Sequence, residues 1–208
     1  MTGHAISGHE RRRRDMVAHL REQGITDERV LAAMGRVPRH RFVPAHRAAE
    51  AYGPGPLPIA CGQTISAPAM VAAMAALLEL TGRERVLEVG AGSGYAAAVL
   101  SRLARDVVTV EYHPSLAASA RAALAATGHA VEVRHGDGRL GVPDRAPFDA
   151  ITVAAMAEGE VPPALLEQLT DDGVLVCPVG HERQGDLVRM RRDGTEERLM
   201  PVSFVPLL

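Results

Sequence analysis

One stretch constrains this chain more than any other: Glu88-Val-Gly-Ala-Gly-Ser-Gly-Tyr95. It follows Arg85-Val-Leu-Glu-Val89, a short apolar run that reads as a buried strand. It leads straight into Tyr95-Ala-Ala-Ala-Val-Leu-Ser-Arg-Leu103, which reads as a helix. Strand, glycine turn and helix together make a ligand-binding corner. Glycine has no Cβ, so the backbone can turn sharply and a ligand can come close. The start of the helix offers free N–H groups at the same place.

The next two apolar runs narrow the ligand. Val107-Val-Thr-Val-Glu111 ends in an acid about twenty residues beyond the corner, where dinucleotide folds hold a ribose. Val131-Glu-Val-Arg-His135 leads into Gly136-Asp-Gly138. Successive strands therefore carry glycine or an acid at their carboxyl ends, the edge at which open parallel sheets bind ligands. Glu88, just before the first glycine, suits a cation or hydroxyls better than a diphosphate. NAD places its diphosphate on the helix N-terminus. S-adenosyl-L-methionine has an amino group, a sulfonium and no phosphate, and it is the favoured cofactor. Phe148-Asp-Ala-Ile-Thr-Val153 and Gly173 to Gly180 continue the strands, with a helix over Pro162 to Leu169 between them. Asp186 to Arg191 and Leu199 to Pro206 read as late antiparallel strands joined by an Asp193-Gly194 turn. Alternating strands and helices predict a doubly wound α/β sheet.

Composition excludes several classes. The 208 residues suit one domain, and a mean hydropathy of zero with no long apolar run excludes a membrane-spanning helix. A formal charge of −2 gives no general pull toward nucleic acid. Aromatics make up 3%, with no Trp, too few for a base-stacking surface. Cys61 and Cys177 stand far apart in no metal or redox motif, and the first nine residues lack a signal-peptide core, so a cytoplasmic setting is expected. His113, His129, His135 and His181 show no ligand spacing, and no metal is expected.

Ahead of the sheet, residues 1–9 read as a tail and Glu10 to Gln23 as a helix buried through Met16, Val17 and Leu20. Arg11-Arg-Arg-Arg14 reads as its solvated face. Gly24 ends it, and Thr26 is the expected cap of a second helix through Val30, Leu31 and Met34. Val37-Pro-Arg-His-Arg-Phe-Val-Pro44 is too proline-rich for an interior strand, and Tyr52 to Pro58 is a turn-rich connector. Ser66 is placed to cap a helix through Met70, Val71, Met74, Leu77 and Leu78, with Met70 and Met74 in the core.

Several of these pieces together resemble the protein-L-isoaspartate O-methyltransferase family. They are Val37 to Pro44, Ala51-Tyr52, Leu57-Pro-Ile59, Gly62-Gln-Thr-Ile-Ser-Ala-Pro68, Val86 to Tyr95, Gly136-Asp-Gly138, Ala146-Pro-Phe-Asp149 and Phe204-Val-Pro-Leu207. The resemblance implies a Rossmann-like class I methyltransferase: a doubly wound, mostly parallel seven-stranded sheet with an N-terminal helical region. It divides the chain into a helical region and substrate-side loop over 1–66 and a cofactor-binding α/β domain over 67–208, forming one compact unit. It implies methyl transfer from S-adenosyl-L-methionine to the α-carboxylate of L-isoaspartyl residues in damaged proteins or peptides. Ser66 would be the active-site hydroxyl, with Pro58 and Ile59 beside the substrate. Thr64, Ile65, Glu88, Gly90, Ala91, Gly92, Gly94 and Tyr112 would line the cofactor. Glu111 would take the ribose hydroxyls; Asp137 and the Gly138 N–H would read the adenine edge.

The chain departs from the family at Ala69, where a histidine is usual, and at Pro54, where an acid is common. Two other functions therefore stay open here. One is methylation of ordinary aspartate in a dedicated peptide; the other is a cofactor-binding module without activity. The sequence leaves the oligomeric state open.

Overall fold

The computed structural model describes residues 7–208; the expected tail over 1–6 lies outside the described residues. Residues 8 and 9, expected in that tail, already belong to helix α1 (Gly8–Glu22), which Ser7 caps by accepting the Glu10 N–H at 3.2 Å. Helix α2 (Glu28–Arg36) follows. Asp27, not Thr26, caps it, accepting the N–H groups of Arg29 and Val30 at 2.8 and 3.1 Å. A carboxylate beside the positive end of the helix dipole gains more than a hydroxyl would. Residues 37–62 make short 3₁₀ turns and a two-residue strand β1 (Leu57–Pro58), which pairs antiparallel with β2 (Thr64–Ile65).

Helix α3 (Pro68–Leu77) begins one residue later than a Ser66 cap requires. Ala67 occupies the capping position, and no side chain bonds there. The sheet then unfolds in order: β3 (Arg85–Val89), α4 (Tyr95–Leu100), β4 (Asp106–Glu111), α5 (Pro114–Ala126), β5 (Glu132–His135) and β6 (Phe148–Val153). A two-residue β7 (Ala157–Glu158), α6 (Pro163–Glu167), β8 (Leu169–His181), β9 (Gln184–Arg191) and β10 (Glu196–Ser203) complete it. The expected helix reaching Leu169 stops at Glu167, because Leu169 already pairs with Phe148 in the sheet.

The strand order is β10-β9-β8-β6-β3-β4-β5, with β7 paired to β8 off that path. The pairs β3/β4, β3/β6, β4/β5 and β6/β8 are parallel, whereas β8/β9 and β9/β10 are antiparallel. The chain leaves β5 at one edge and returns beside β3. The order in which strands are added therefore reverses between β3 and β6, which opens a crevice at their carboxyl ends.

Alternation along the strands divides the core by face. Val86, Val107, Ala150, Val174 and Val176 face one apolar cluster, which also takes Met16, Leu20, Leu31, Met34, Val71, Met74 and Leu100 from the helices. Leu87, Val108, Ile151, Leu175 and Cys177 face the other, beside Leu165 of α6. The first cluster runs unbroken from α1 through the sheet, so the residues on either side of position 66 share one core. One row on that face is polar. Thr109, Glu88 and Thr152 stand in register across β4, β3 and β6, all buried.

Candidate active site

The crevice is an open cleft at the carboxyl ends of the central strands. Thr64, Ile65 and Ser66 form one wall; Gly90, Ala91 and Gly92 form the floor; Glu111 and Tyr112 stand at the β4 end. Val205 to Leu208 close the far side. They are tied down by the Met156 N–H on the Val205 carbonyl at 2.7 Å and the Leu207 N–H on the Met156 carbonyl at 2.8 Å. The Thr-Ile-Ser segment and the glycine corner, 24 or more residues apart, thus face each other. Ile59 approaches the same corner: a Cβ on Gly92 would stand 3.6 Å from its Cδ1. Pro58, half of β1, backs this wall without lining the cleft.

Glu111 is held by the backbone on both oxygens. It is buried, and its two oxygens accept the Gly92 N–H at 2.8 Å and the His113 N–H at 2.9 Å. Those bonds fix the corner to the end of β4 and leave further lone pairs toward the cleft. Glu88 differs. It is 1% exposed, one oxygen accepts the Thr109 hydroxyl at 2.6 Å, and Oε1 has no partner. Burial pushes its carboxyl up to about 8; the Thr109 bond draws it down and the neighbouring Glu111 adds to the rise.

Two expected contacts are placed otherwise. Gly94 does not line the cleft: it opens α4 with φ +84°, and a Cβ there would stand 3.3 Å from Ala120 and Leu124 of α5. Its role is close helix packing. Asp137 caps the next turn and spends its carboxylate on Arg139, taking the backbone N–H at 2.9 Å and the guanidinium at 2.8 Å. The Arg139 bonds hold its carboxyl below the usual carboxylate range. Gly138 beside it does line the cleft, and a Cβ there would meet Val89 Cγ1 at 2.5 Å, so only glycine fits.

Ser66 lines the cleft half-buried, and its carbonyl accepts Arg39 Nη2 at 2.8 Å. Arg39 is fully buried; its Nε bonds the Ala51 carbonyl at 2.7 Å and its guanidinium lies 4.7 Å from the centre of the Tyr95 ring. Burial lowers its pKa, with Tyr95 and Tyr52 opposing. Arg39 and Thr109 are the site residues that sequence reading passes over. A threonine inside Val107-Val-Thr-Val110 was a readable signal for the second. Among the described residues no cluster of histidine, cysteine or acid is arranged to hold a metal.

A cleft at the switch point of a doubly wound sheet, floored by a glycine corner and edged by two strand-end acids, defines a Rossmann-like class I methyltransferase. The sequence profile of the protein-L-isoaspartate(D-aspartate) O-methyltransferase family matches residues 11–208, and the chain belongs to that family. A protein-L-isoaspartate O-methyltransferase of Roseiflexus castenholzii is 54% identical over 200 residues, covering 94% of this chain and 91% of the relative. One from Methanoregula boonei is 51% identical over 203 residues, covering 96% and 93%. Among solved structures, a protein-L-isoaspartate O-methyltransferase superposes with TM-score 0.82 at 26% identity, over 93% of this chain and 65% of the other. A Plasmodium falciparum structure in complex with S-adenosyl-L-homocysteine superposes with TM-score 0.81 at 24% identity, over 97% and 99%, a likeness of fold.

Proposed function

We propose that the chain transfers a methyl group from S-adenosyl-L-methionine to the α-carboxylate of L-isoaspartyl residues in damaged proteins or peptides. The observation that carries this reading is the meeting of Thr64-Ile-Ser66 with Gly90-Ala-Gly92 across one cleft. The residues fit the cofactor: an orphaned buried acid oxygen suits a cationic group, and a held carboxylate suits ribose hydroxyls. When bound, the cofactor supplies an electrophilic methyl on a sulfonium.

Glu111 accepts the ribose hydroxyls, with Tyr112 beside it. Gly138 offers its N–H to the adenine edge, with Asp137 oriented by Arg139 behind it. Gly90, Ala91 and Gly92, with Thr64 and Ile65 opposite, enclose the methionine end. Glu88 faces its cationic group. Pro58, Ile59 and Ser66 shape the substrate side. An acceptor carboxylate with pKa near ~4 is already ionised at pH 7, so no general base is required. The protein's task is alignment and removal of water from the acceptor. Ser66 donates a hydrogen bond to the acceptor carboxylate, and Arg39 keeps Ser66 in place from behind. In the methyl ester, attack by the next backbone nitrogen on the ester carbonyl expels methanol and forms the succinimide from which repair proceeds. Free Cys61 and Cys177 fit a reducing cytoplasm; among the described residues no helix is long and apolar enough to cross a membrane.

Paired peptides differing only in isoaspartyl or aspartyl at one position test this. Mass spectrometry should show one added methyl on the isoaspartyl peptide alone. Methylation of the aspartyl twin instead would move the activity to peptide tailoring, and none on either would leave a binding module.

A further inference from the structure

Two acids sit at the floor of the cleft on neighbouring strands, and their partners are unequal. Glu111 has a backbone N–H on each oxygen, whereas Glu88 has one hydroxyl donor and an orphaned Oε1. Among the described residues no cation offsets Glu88. From β4 it faces Thr109 and Glu111; from β6, Thr152. Helix α3 brings Val71 and helix α4 brings Ala96 to the same cavity walls. The Tyr95 hydroxyl, also on α4, is turned away onto Met34 Sδ at 3.4 Å. Tyr112 and His113 are the other titratable groups lining the cleft. Behind Glu88 the cleft narrows into an apolar cavity lined by Met74, Ala75 and Leu100. A lone carboxylate in such a place is costly, so the neutral acid is favoured until a cation arrives.

We propose that Glu88 carries a proton in the ligand-free protein and releases it to solvent when the ligand's ammonium group enters the cleft, so that cofactor uptake is coupled to loss of one proton. The proposal rests on the cofactor reading above. In the exchange the Glu88 O–H bond breaks, its proton passes to buffer, and the carboxylate formed pairs with the incoming cation. The upward displacement of the Glu88 carboxyl to about 8 agrees with this. The sign follows: below that pH the site must lose a proton to bind, so acid weakens binding. Affinity should rise about tenfold per pH unit between pH 6 and 7 and level off above pH 8. The coupling would make occupancy of the enzyme fall when its surroundings acidify.

S-adenosyl-L-homocysteine keeps the ammonium group, binds without turnover and serves as the probe. Titration calorimetry at pH 6.5 in buffers of different ionisation enthalpy should show release of close to one proton per ligand. Infrared difference spectra should show loss of a protonated-carboxyl band on binding. Glu88→Gln should abolish the release and flatten the affinity between pH 6 and 7 to less than twofold. Binding with no proton release and no lost carboxyl band overturns the proposal while leaving the cofactor reading intact. Failure of the probe to bind at any pH overturns both. The infrared measurement on the unsubstituted protein decides the matter if Glu88→Gln fails to fold.

Discussion

The sheet side of the cleft and the N-terminal region behind its opposite wall bury ionisable groups of opposite kind and secure them by opposite means. The sheet side carries acids, Glu88 and Glu111, and fixes the latter with backbone N–H groups. The N-terminal side carries a cation, Arg39, and fixes it with backbone carbonyls from Ala51 and Ser66. Neither charge is neutralised by a side chain of the other wall. The difference teaches that the acids act on the cleft directly, whereas the buried cation acts only by holding the backbone of the opposite wall. The acids line the cleft, whereas Arg39 lies behind Ser66 and reaches it only through that residue's backbone, and separate elements hold the two groups apart.

Substitutions can break that comparison in order of size. Arg39→Met should cost most, because it strips two inward-facing carbonyls of their donor and the Tyr95 ring of its cation. A loss of about 3 kcal/mol is expected by urea unfolding; a change under about 1 kcal/mol would show that the N-terminal wall stands without it. Glu111→Ala should weaken S-adenosyl-L-homocysteine binding by about 1–3 kcal/mol in calorimetry, and unchanged affinity would remove Glu111 from the site. Ser66→Ala should lower turnover about tenfold, one hydrogen bond's worth, while homocysteine-ligand affinity stays within twofold. Equal loss in both would make Ser66 part of the cofactor wall. Asp137→Asn should be the smallest, about 0.5 kcal/mol in binding, because both oxygens of its carboxylate are already taken by Arg139 in the open. A loss as large as that of Glu111→Ala would make direct adenine readout the correct account.

The sheet was legible because its strands are short runs of valine, leucine and isoleucine that must be buried on both faces. The glycine corner and Glu111 were legible because their spacing has few other uses. The helix over Pro114–Ala126 was not. Its alanines and serines give only a faint apolar stripe, and packing on β4 and β5 decides it. The Ser66 cap failed for a different reason: Arg39 holds the Ser66 carbonyl, and Pro68 starts the helix one residue on. Arg39 itself, between a proline and a histidine, looks like a surface residue in sequence. Only the fold shows the two carbonyls and the ring that bury it. Gly94 was read as a ligand contact because all three corner glycines look alike; the third faces α5.

The chain has no tryptophan and three tyrosines, and each tyrosine sits at or beside the cleft. Tyr95 lies under Arg39, Tyr112 stands 49% exposed at the mouth, and Tyr52 shares a 2.7 Å hydrogen bond with His40 next to the Ala51 carbonyl. The protein's tyrosine emission therefore arises from this neighbourhood. Ligand entry should be visible as a change in that light without any attached label.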